Sequence, residues 1–150
     1  MYYGHSTVAI DAKGRTNLPR ELRRELPSGA DGKVVVVPGP NSTLNLFDAP
    51  AFERMIRSLH ARERTAELAN HIRRLTALAA SSELDDQNRL TLPPRLVEWA
   101  GLENRVTFVG EGDRISLIHP ARFETEILGE GATPGFDGFL DTLQVPLEGM

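Results

Sequence analysis

The chain has 150 residues, 40% of them hydrophobic and 25% charged, which suits one globular domain or two small ones. It contains no cysteine, so disulfides, thiolate zinc sites, iron–sulfur clusters and cysteine nucleophiles are excluded. The longest apolar runs, Val34–Val37 and Ala77–Ala80, have four residues each, too few to cross a membrane. The first residues lack the basic and apolar stretches of a secretory signal, so a cytoplasmic protein is expected.

Charge is unevenly divided along the chain. Residues 1–75 contain twelve Lys/Arg and eight Asp/Glu, a net charge of +4, whereas residues 76–150 contain five and thirteen, a net charge of −8. This asymmetry predicts one face for an anionic partner and another that maintains solubility. The alternative, that the charges simply cover exposed helices, remains open on charge alone.

An internal repeat organises the chain. The segment Asp11–Leu22 recurs as Asp85–Leu96, at an offset of 74 residues. The match continues at an offset of 71, with Leu44–Leu46 corresponding to Ile115–Leu117, because three residues are lost near residues 28–32. The sequence therefore predicts two tandem copies of one unit.

Each copy begins with a strand–turn–strand pattern. Ser6–Ile10 alternates at a period of two, and Arg15–Leu18 follows the turn. Gly14 supplies the permissive backbone of this turn, and Asn88 occupies the same place in the second copy, since asparagine also tolerates positive φ.

Short helices and a second strand pair follow in both copies. Pro19 precedes a predicted helix over Arg20–Leu26, whose counterpart is Pro94–Ala100, ended by Gly101. The second strand pairs are predicted at Lys33–Val37 with Leu44–Phe47, and at Arg105–Val109 with Arg114–Ile118.

Helical periodicity replaces the strand pattern between the copies. Apolar residues recur at helical spacing in two stretches, with a break expected near residues 64–65. A weaker helix is predicted near Ala121–Leu128, and a mobile acidic tail from Gly129 onward, where Gly and Pro are frequent and Lys and Arg are absent. The predicted organisation is a first unit at residues 1–50, a helical connector at 51–80, a second unit with its C-terminal helix at 81–128, and a flexible acidic tail at 129–150.

A catalytic interpretation has little support. The four histidines have no metal-ligand spacing, no nucleophile or phosphate-loop motif occurs, and the adjacent Asp85 and Asp86 would point to opposite faces of a strand. No catalytic residue, metal site or cofactor is predicted.

The repeated D-x-x-x-R motif carries the strongest functional signal. Asp11 and Arg15 can pair across the tight turn while the carboxylate accepts turn N–H groups, which is a purely structural role. In a DNA-binding role, the turn projects Lys13 and Arg15 from a two-stranded ribbon that fits a major groove. The arginine fork matches guanine O6 and N7, and lysine suits a phosphate.

These motifs identify a resemblance to the MraZ family of bacterial transcriptional regulators, built from two SpoVT–AbrB-type units. It covers about residues 1–128 and rests on the Asp11–Pro19 signature together with Leu84–Pro93 and Trp99–Leu102. The resemblance implies an α+β, mainly β fold: an AbrB-type swapped-hairpin, double-psi-like barrel whose subunits form an octamer-like ring. It also implies a cytoplasmic, nucleoid-associated regulator, usually a repressor. Its DNA targets would be promoter direct repeats upstream of the division and cell wall gene cluster, including its own gene.

The resemblance also implies roles for individual residues. Lys13 and Arg15 would contact DNA, with Asp11 and Gly14 holding the turn. In the second unit Arg89 would take the arginine role and Asp85 the supporting one. Gln87 and Asn88 stand where the family commonly has Lys or another polar residue followed by Gly. Gln87 could hydrogen-bond to a base or phosphate without adding charge, and Asn88 would support the turn.

Two other classes of function compete with this one. An AbrB-like protein-interaction module, comparable to an antitoxin, would act through the acidic tail and its apolar residues Phe136, Phe139, Leu140 and Leu143. An enzyme would rest only on the turn carboxylates and histidines, which form no coherent catalytic set.

Overall fold

The computed structural model describes residues 1–143, and the rest of the acidic tail, residues 144–150, lies outside the described residues. The strands are β1 His5–Ala9, β2 Arg15–Asn17, β3 Lys33–Gly39, β4 Thr43–Asp48, β5 Ala80–Glu83, β6 Arg89–Thr91, β7 Arg105–Gly110 and β8 Ile115–Ile118. The helices are α1 Arg20–Arg23, α2 Ala49–His60, α3 Ala66–Leu78, α4 Pro94–Trp99, α5 Pro120–Phe123 and α6 Phe136–Asp141, with a 3₁₀ turn at Ser28–Ala30 and a π-helical turn at Glu124–Leu128. The predicted α+β, mainly β fold is confirmed.

Strands from both copies make up one antiparallel sheet of order β1-β7-β8-β4-β3-β5. The predicted pairs β3–β4 and β7–β8 are confirmed. The outer pairs exchange strands between the copies: β1 of the first lies on β7 of the second, and β5 of the second lies on β3 of the first. The remaining strands, β2 and β6, pair with each other in a separate two-stranded ribbon.

The predicted strand–turn–strand pattern is confirmed, and the two strands do not form a continuous ladder with each other. An isolated bridge joins Ile10, just after β1, to Thr16 of β2. The Thr16 hydroxyl donates to the Ala9 carbonyl at 2.8 Å, and the Asp11 N–H donates to the Arg15 carbonyl at 2.9 Å. Alternation identifies an extended backbone without identifying its partner. β7 offers β1 five register positions, among them Val106 and Phe108, both fully buried.

The hydrophobic core is built from equivalent positions of the two copies. Four equivalent pairs are all 2% exposed or less: Leu18 and Leu92, Leu22 and Leu96, Leu44 and Ile115, and Leu46 and Leu117. A second, smaller cluster joins Val35, Val37 and Phe47 to the apolar faces of α2 and α3. The repeat seen in the sequence is thus largely a repeat of core positions.

The helical connector consists of two capped helices. Asp48 begins α2 by accepting the Ala51 N–H at 2.9 Å, and Thr65 begins α3 by accepting the Leu68 N–H at 3.0 Å. The predicted break near residues 64–65 is confirmed. No helix among residues 1–143 is long and apolar enough to cross a membrane.

The chain divides into two compact units, Met1–Pro120 and a second that begins at Ala121. The helix predicted near Ala121–Leu128 is a helical turn at Pro120–Phe123 continued by a π-helical turn at Glu124–Leu128. α6 then forms at Phe136–Asp141, inside the segment predicted from the sequence as a flexible acidic tail.

Candidate nucleic-acid interface

The first turn is organised by one carboxylate. Asp11 Oδ1 accepts the backbone N–H groups of Lys13 and Arg15, both at 2.9 Å, and Oδ2 accepts Arg15 Nε at 2.7 Å. The backbone N–H of Arg15 is the main cause that lowers the pKa of Asp11, and the guanidinium of Arg15 and the N–H of Lys13 lower it further. The carboxylate therefore stays charged and aligns the arginine.

The second turn repeats this arrangement. Asp85 Oδ1 accepts the N–H groups of Gln87 and Arg89 at 2.9 Å, and Oδ2 accepts Arg89 Nε at 2.9 Å. The pKa of Asp85 is lowered in the same way, first by the backbone N–H of Arg89. The two copies therefore present the same carboxylate–arginine unit.

Both turns need a residue with positive φ at the same place. Gly14 has φ +81° and Asn88 has φ +61°. Gly14 also lies against the other copy, because a Cβ built on it would be 2.4 Å from the backbone oxygen of Leu92. Only glycine satisfies both the conformation and the close approach in the first turn.

The ribbon of β2 and β6 brings the two turns together. Its register pairs Arg15 with Thr91, Thr16 with Leu90, and Asn17 with Arg89. Opposite residues of an antiparallel pair share a face, and so do residues two apart on one strand. Thr16 and Leu90 are buried at 1% and 0% exposure, so both arginines lie on the outward face.

This outward face carries four polar side chains: Arg15, Asn17, Arg89 and Thr91. The two arginine Cα atoms are separated by two residues along the ribbon and by one strand across it, which places them roughly 8 Å apart. Asn17 and Thr91 were not predicted from the sequence to belong to this face. Their period-two spacing from the arginines is the signal that identifies them, once the ribbon is known.

Hydrogen bonds between the copies hold the turns against the ribbon. The Leu92 N–H donates to the Gly14 carbonyl at 2.8 Å, and the equivalent Leu18 N–H donates to the Asn88 carbonyl at 3.1 Å. Asn17 Nδ2 adds a bond to the Gln87 carbonyl at 2.7 Å. Each turn is therefore fastened to the strand that follows the other turn.

The two turns differ in charge. The first has Asp11, Lys13 and Arg15, a net charge of +1, whereas the second has Asp85, Asp86 and Arg89, a net charge of −1. Lys13 and Gln87 are exposed at the turns. The Arg15 side chain is 36% exposed and that of Arg89 is 24% exposed. The first turn is the better contact for an anion, because its net charge is more positive and its arginine is more exposed.

The histidines contribute no metal site in the described part of the chain. Within residues 1–143, no group of three or more His, Asp or Glu side chains is arranged to hold a metal ion.

Comparison with known proteins gives the family. The model of a family described as "MraZ protein, putative antitoxin-like" matches residues 1–75 and again residues 75–127. "Transcriptional regulator MraZ" of Thioalkalivibrio sulfidiphilus is 32% identical over 118 residues, 78% of this chain and 79% of the relative. Its counterpart in Methylococcus capsulatus is 33% identical over 78% of both chains, and that of Anaeromyxobacter sp. strain Fw109-5 is 30% identical over 87% and 91%. The chain belongs to the MraZ family, and is thus a transcriptional regulator rather than an enzyme.

Proposed function

We propose that the chain binds double-stranded DNA in a sequence-specific manner, through the outward face of the β2–β6 ribbon and its two turns. The observation that carries this proposal is the presence of two carboxylate-aligned arginines on one face of a two-stranded ribbon. A ribbon of this width enters the major groove, where base edges present distinct donor and acceptor patterns.

The alignment of Arg15 favours base recognition over a simple phosphate contact. Asp11 engages Nε, and within residues 1–143 no further partner of this guanidinium is found. The Nη groups, which carry four of the five N–H donors, are then available for the O6 and N7 acceptors of guanine. Because the turn holds the side chain before binding, less rotamer entropy is lost on contact.

Lys13 and the second turn have subsidiary roles in this proposal. Lys13 contacts phosphate as a point charge at the tip of the first turn. Arg89 contributes a weaker contact, because its side chain is less exposed and Asp86 repels the phosphate backbone. Gln87 adds a hydrogen bond without a charge. Asp11, Gly14, Asp85 and Asn88 support the turns.

The finer function that we propose follows the family resemblance. The chain binds direct repeats upstream of the division and cell wall gene cluster, including its own gene, and represses it in association with the nucleoid. Its subunits form an octamer-like ring of AbrB-type swapped-hairpin barrels. The exchange of β1 and β5 between the copies supports that barrel. Rotation around a ring presents the same turn in the same sense, which suits direct repeats.

A ring also reconciles DNA binding with the net charge of −4. Each subunit would contribute one basic turn to a shared face while acidic segments face elsewhere. Several weak contacts on one particle then combine through effective concentration.

Fluorescence anisotropy with a duplex from upstream of the chain's own gene tests this proposal, with a scrambled duplex compared at two salt concentrations. Arg15→Ala should lose about 1–3 kcal/mol of binding free energy and most of the base preference. Lys13→Ala should weaken binding to both duplexes and lower the salt slope by about one. Arg89→Ala should have a smaller effect than Arg15→Ala.

The matched control is Arg57→Ala, which removes one exposed arginine from α2, away from the ribbon. It should leave sequence preference unchanged. Equal binding of the wild type to both duplexes, or unaltered preference in Arg15→Ala, would contradict the proposal.

A further inference from the structure

A groove lies beside helix α2, within the compact unit Met1–Pro120 and outside the ribbon. Its volume is about 720 Å³, and it is open along one side. Helix α2 and the residues just after it line one wall with two adjacent rows: the apolar row Ala51, Met55 and Leu59, and the polar row Arg54, Ser58 and Arg62. Residues four apart lie one turn apart on the same helix face, so the rows run side by side along the groove.

The polar groups at the base of the groove are already paired. The Tyr2 hydroxyl donates to Asp48 Oδ2 at 3.0 Å, and both residues are at most 5% exposed. Arg114 binds Asp113 at 2.9 Å and lies over the Phe47 ring, 4.9 Å from its centroid. The base therefore offers an apolar surface with no polar group in need of a ligand.

The remaining charge on the groove is positive. Glu25, the other acid that lines it, lies 3.9 Å from the N-terminal ammonium group. Arg54 and Arg62, by contrast, have no ion pair with any described residue. The groove thus combines an apolar wall with two unpaired guanidinium groups, which suits an amphipathic, acidic segment.

The tail of this chain has that pattern. Helix α6 and the turn after it expose four apolar side chains that share one helical face: Phe136 at 50%, Phe139 at 55%, Leu140 at 43% and Leu143 at 55%. The Phe136 and Phe139 rings stack with centroids 6.2 Å apart. Asp137 and Asp141 form an acidic row one turn apart beside this face.

We propose that the segment Phe136–Leu143 of a second copy docks in the groove beside α2. Its apolar face covers Ala51, Met55 and Leu59, and its two aspartates lie against Arg54 and Arg62. The aspartates are about 6 Å apart along their helix, and the arginines are about 12 Å apart along α2 and the turn that follows it. The long arginine side chains close that difference by converging on Ser58.

This interaction joins copies of the chain and does not depend on DNA. It places the most apolar exposed segment of the second unit in a partner's groove, which removes a patch that would otherwise promote nonspecific association. It also assigns the acidic tail a role that the DNA-binding surface does not use.

Cysteine pairs test the docking directly, because the natural chain has no cysteine. Ser58→Cys and Leu143→Cys full-length chains are prepared separately, mixed and oxidised, and their disulfide-linked heterodimer is measured on a nonreducing gel. The control replaces the groove position with Glu67→Cys, an exposed site on α3 that does not line the groove. The yield of disulfide-linked heterodimer from Ser58→Cys with Leu143→Cys should be well above the yield from Glu67→Cys with Leu143→Cys.

A charge exchange gives a second test. One variant carries Arg54→Glu with Arg62→Glu, and another carries Asp137→Arg with Asp141→Arg. Each double change should lower the apparent association constant between copies of the chain, without a disulfide, roughly 2- to 30-fold, as expected for two exposed ion pairs. When the groove variant is mixed with the tail variant, the apparent association constant should recover, because the opposite charges face each other again. Circular dichroism on each variant verifies that the fold is retained.

Three outcomes would overturn the proposal: no heterodimer above the control, charge exchange without recovery, or preferential formation of an internal disulfide in a dilute chain carrying both Ser58→Cys and Leu143→Cys. The last outcome would place the tail in its own chain's groove. If the first outcome is found while the oligomer remains intact, the groove would be a binding site for a different protein. None of these results depends on the DNA-binding measurement.

Discussion

The backbone of Leu92, in the second copy, donates a hydrogen bond of 2.8 Å to the carbonyl of Gly14, in the first. The equivalent bond between Leu18 and Asn88 is 3.1 Å long. The two recognition turns are thus parts of one pseudosymmetric element, so a change in either turn is transmitted to the strand that follows the other.

Gly14→Ala should destabilise the protein, whereas Asn88→Gly should be tolerated. Alanine at position 14 would combine a positive φ with a Cβ 2.4 Å from the Leu92 oxygen, costing roughly 2–3 kcal/mol. Glycine at position 88 accepts the same conformation, and the change should stay within about 1 kcal/mol. Urea denaturation measures both. Equal stability of the two variants would show that the turn relaxes away from Leu92.

Gln87→Lys should strengthen DNA binding by supplying the charge that the second turn lacks. The added lysine should make the slope of log K against log salt steeper by about one. Gln87→Ala is the control and should leave the slope unaltered, because the Gln87 groups that bind Asn17 and Asp85 belong to the backbone. Anisotropy over a salt series measures the slope. An unchanged slope in Gln87→Lys would place the second turn away from the phosphates.

The buried pair Tyr2 and Asp48 should show strong coupling in stability. Burial, and then the hydrogen bond to Asp48, raise the pKa of Tyr2, which keeps the phenol protonated as a donor. Tyr2→Phe should cost about 1.5–3 kcal/mol by removing a donor from a buried carboxylate. Asp48→Ala should cost about 2–4 kcal/mol, because it also removes the cap of α2. The double variant should lose less free energy of unfolding than the sum of the losses in the two single variants, as measured by denaturation. Additive losses would refute the coupling.

The carboxyl of Asp11 should titrate below its ordinary value of 3.8. Because its folded pKa is the lower one, its stabilising contribution is complete above the unfolded pKa and disappears as pH falls through the folded pKa. Nuclear magnetic resonance titration of the Asp11 carboxyl carbon measures the midpoint. Arg15→Ala should move the midpoint upward, while Arg57→Ala should leave it in place. A midpoint unaffected by Arg15→Ala would mean that the side-chain pair contributes nothing to the turn.

The sequence alone was sufficient for the local features of this protein. The repeat predicted two copies of one unit, and equivalent leucines such as Leu18 and Leu92 are buried in both copies. The positive φ at Gly14 and Asn88 followed from their residue types. The D-x-x-x-R spacing placed the carboxylate and the guanidinium close enough to pair across each turn. These properties depend on neighbours within a few residues, which is the range over which residue type constrains the backbone.

Only the tertiary structure decided which strands pair and which side chains meet. β1 pairs with β7, about 100 residues away in sequence, and this register places it beside Val106 and Phe108, which are fully buried. The common outward face of Arg15 and Arg89 depends on the register of β2 with β6, and a shift of one residue would turn one arginine inward. Register between distant strands is set by the packing of the whole core, so the surface that combines both turns could not be derived from either motif.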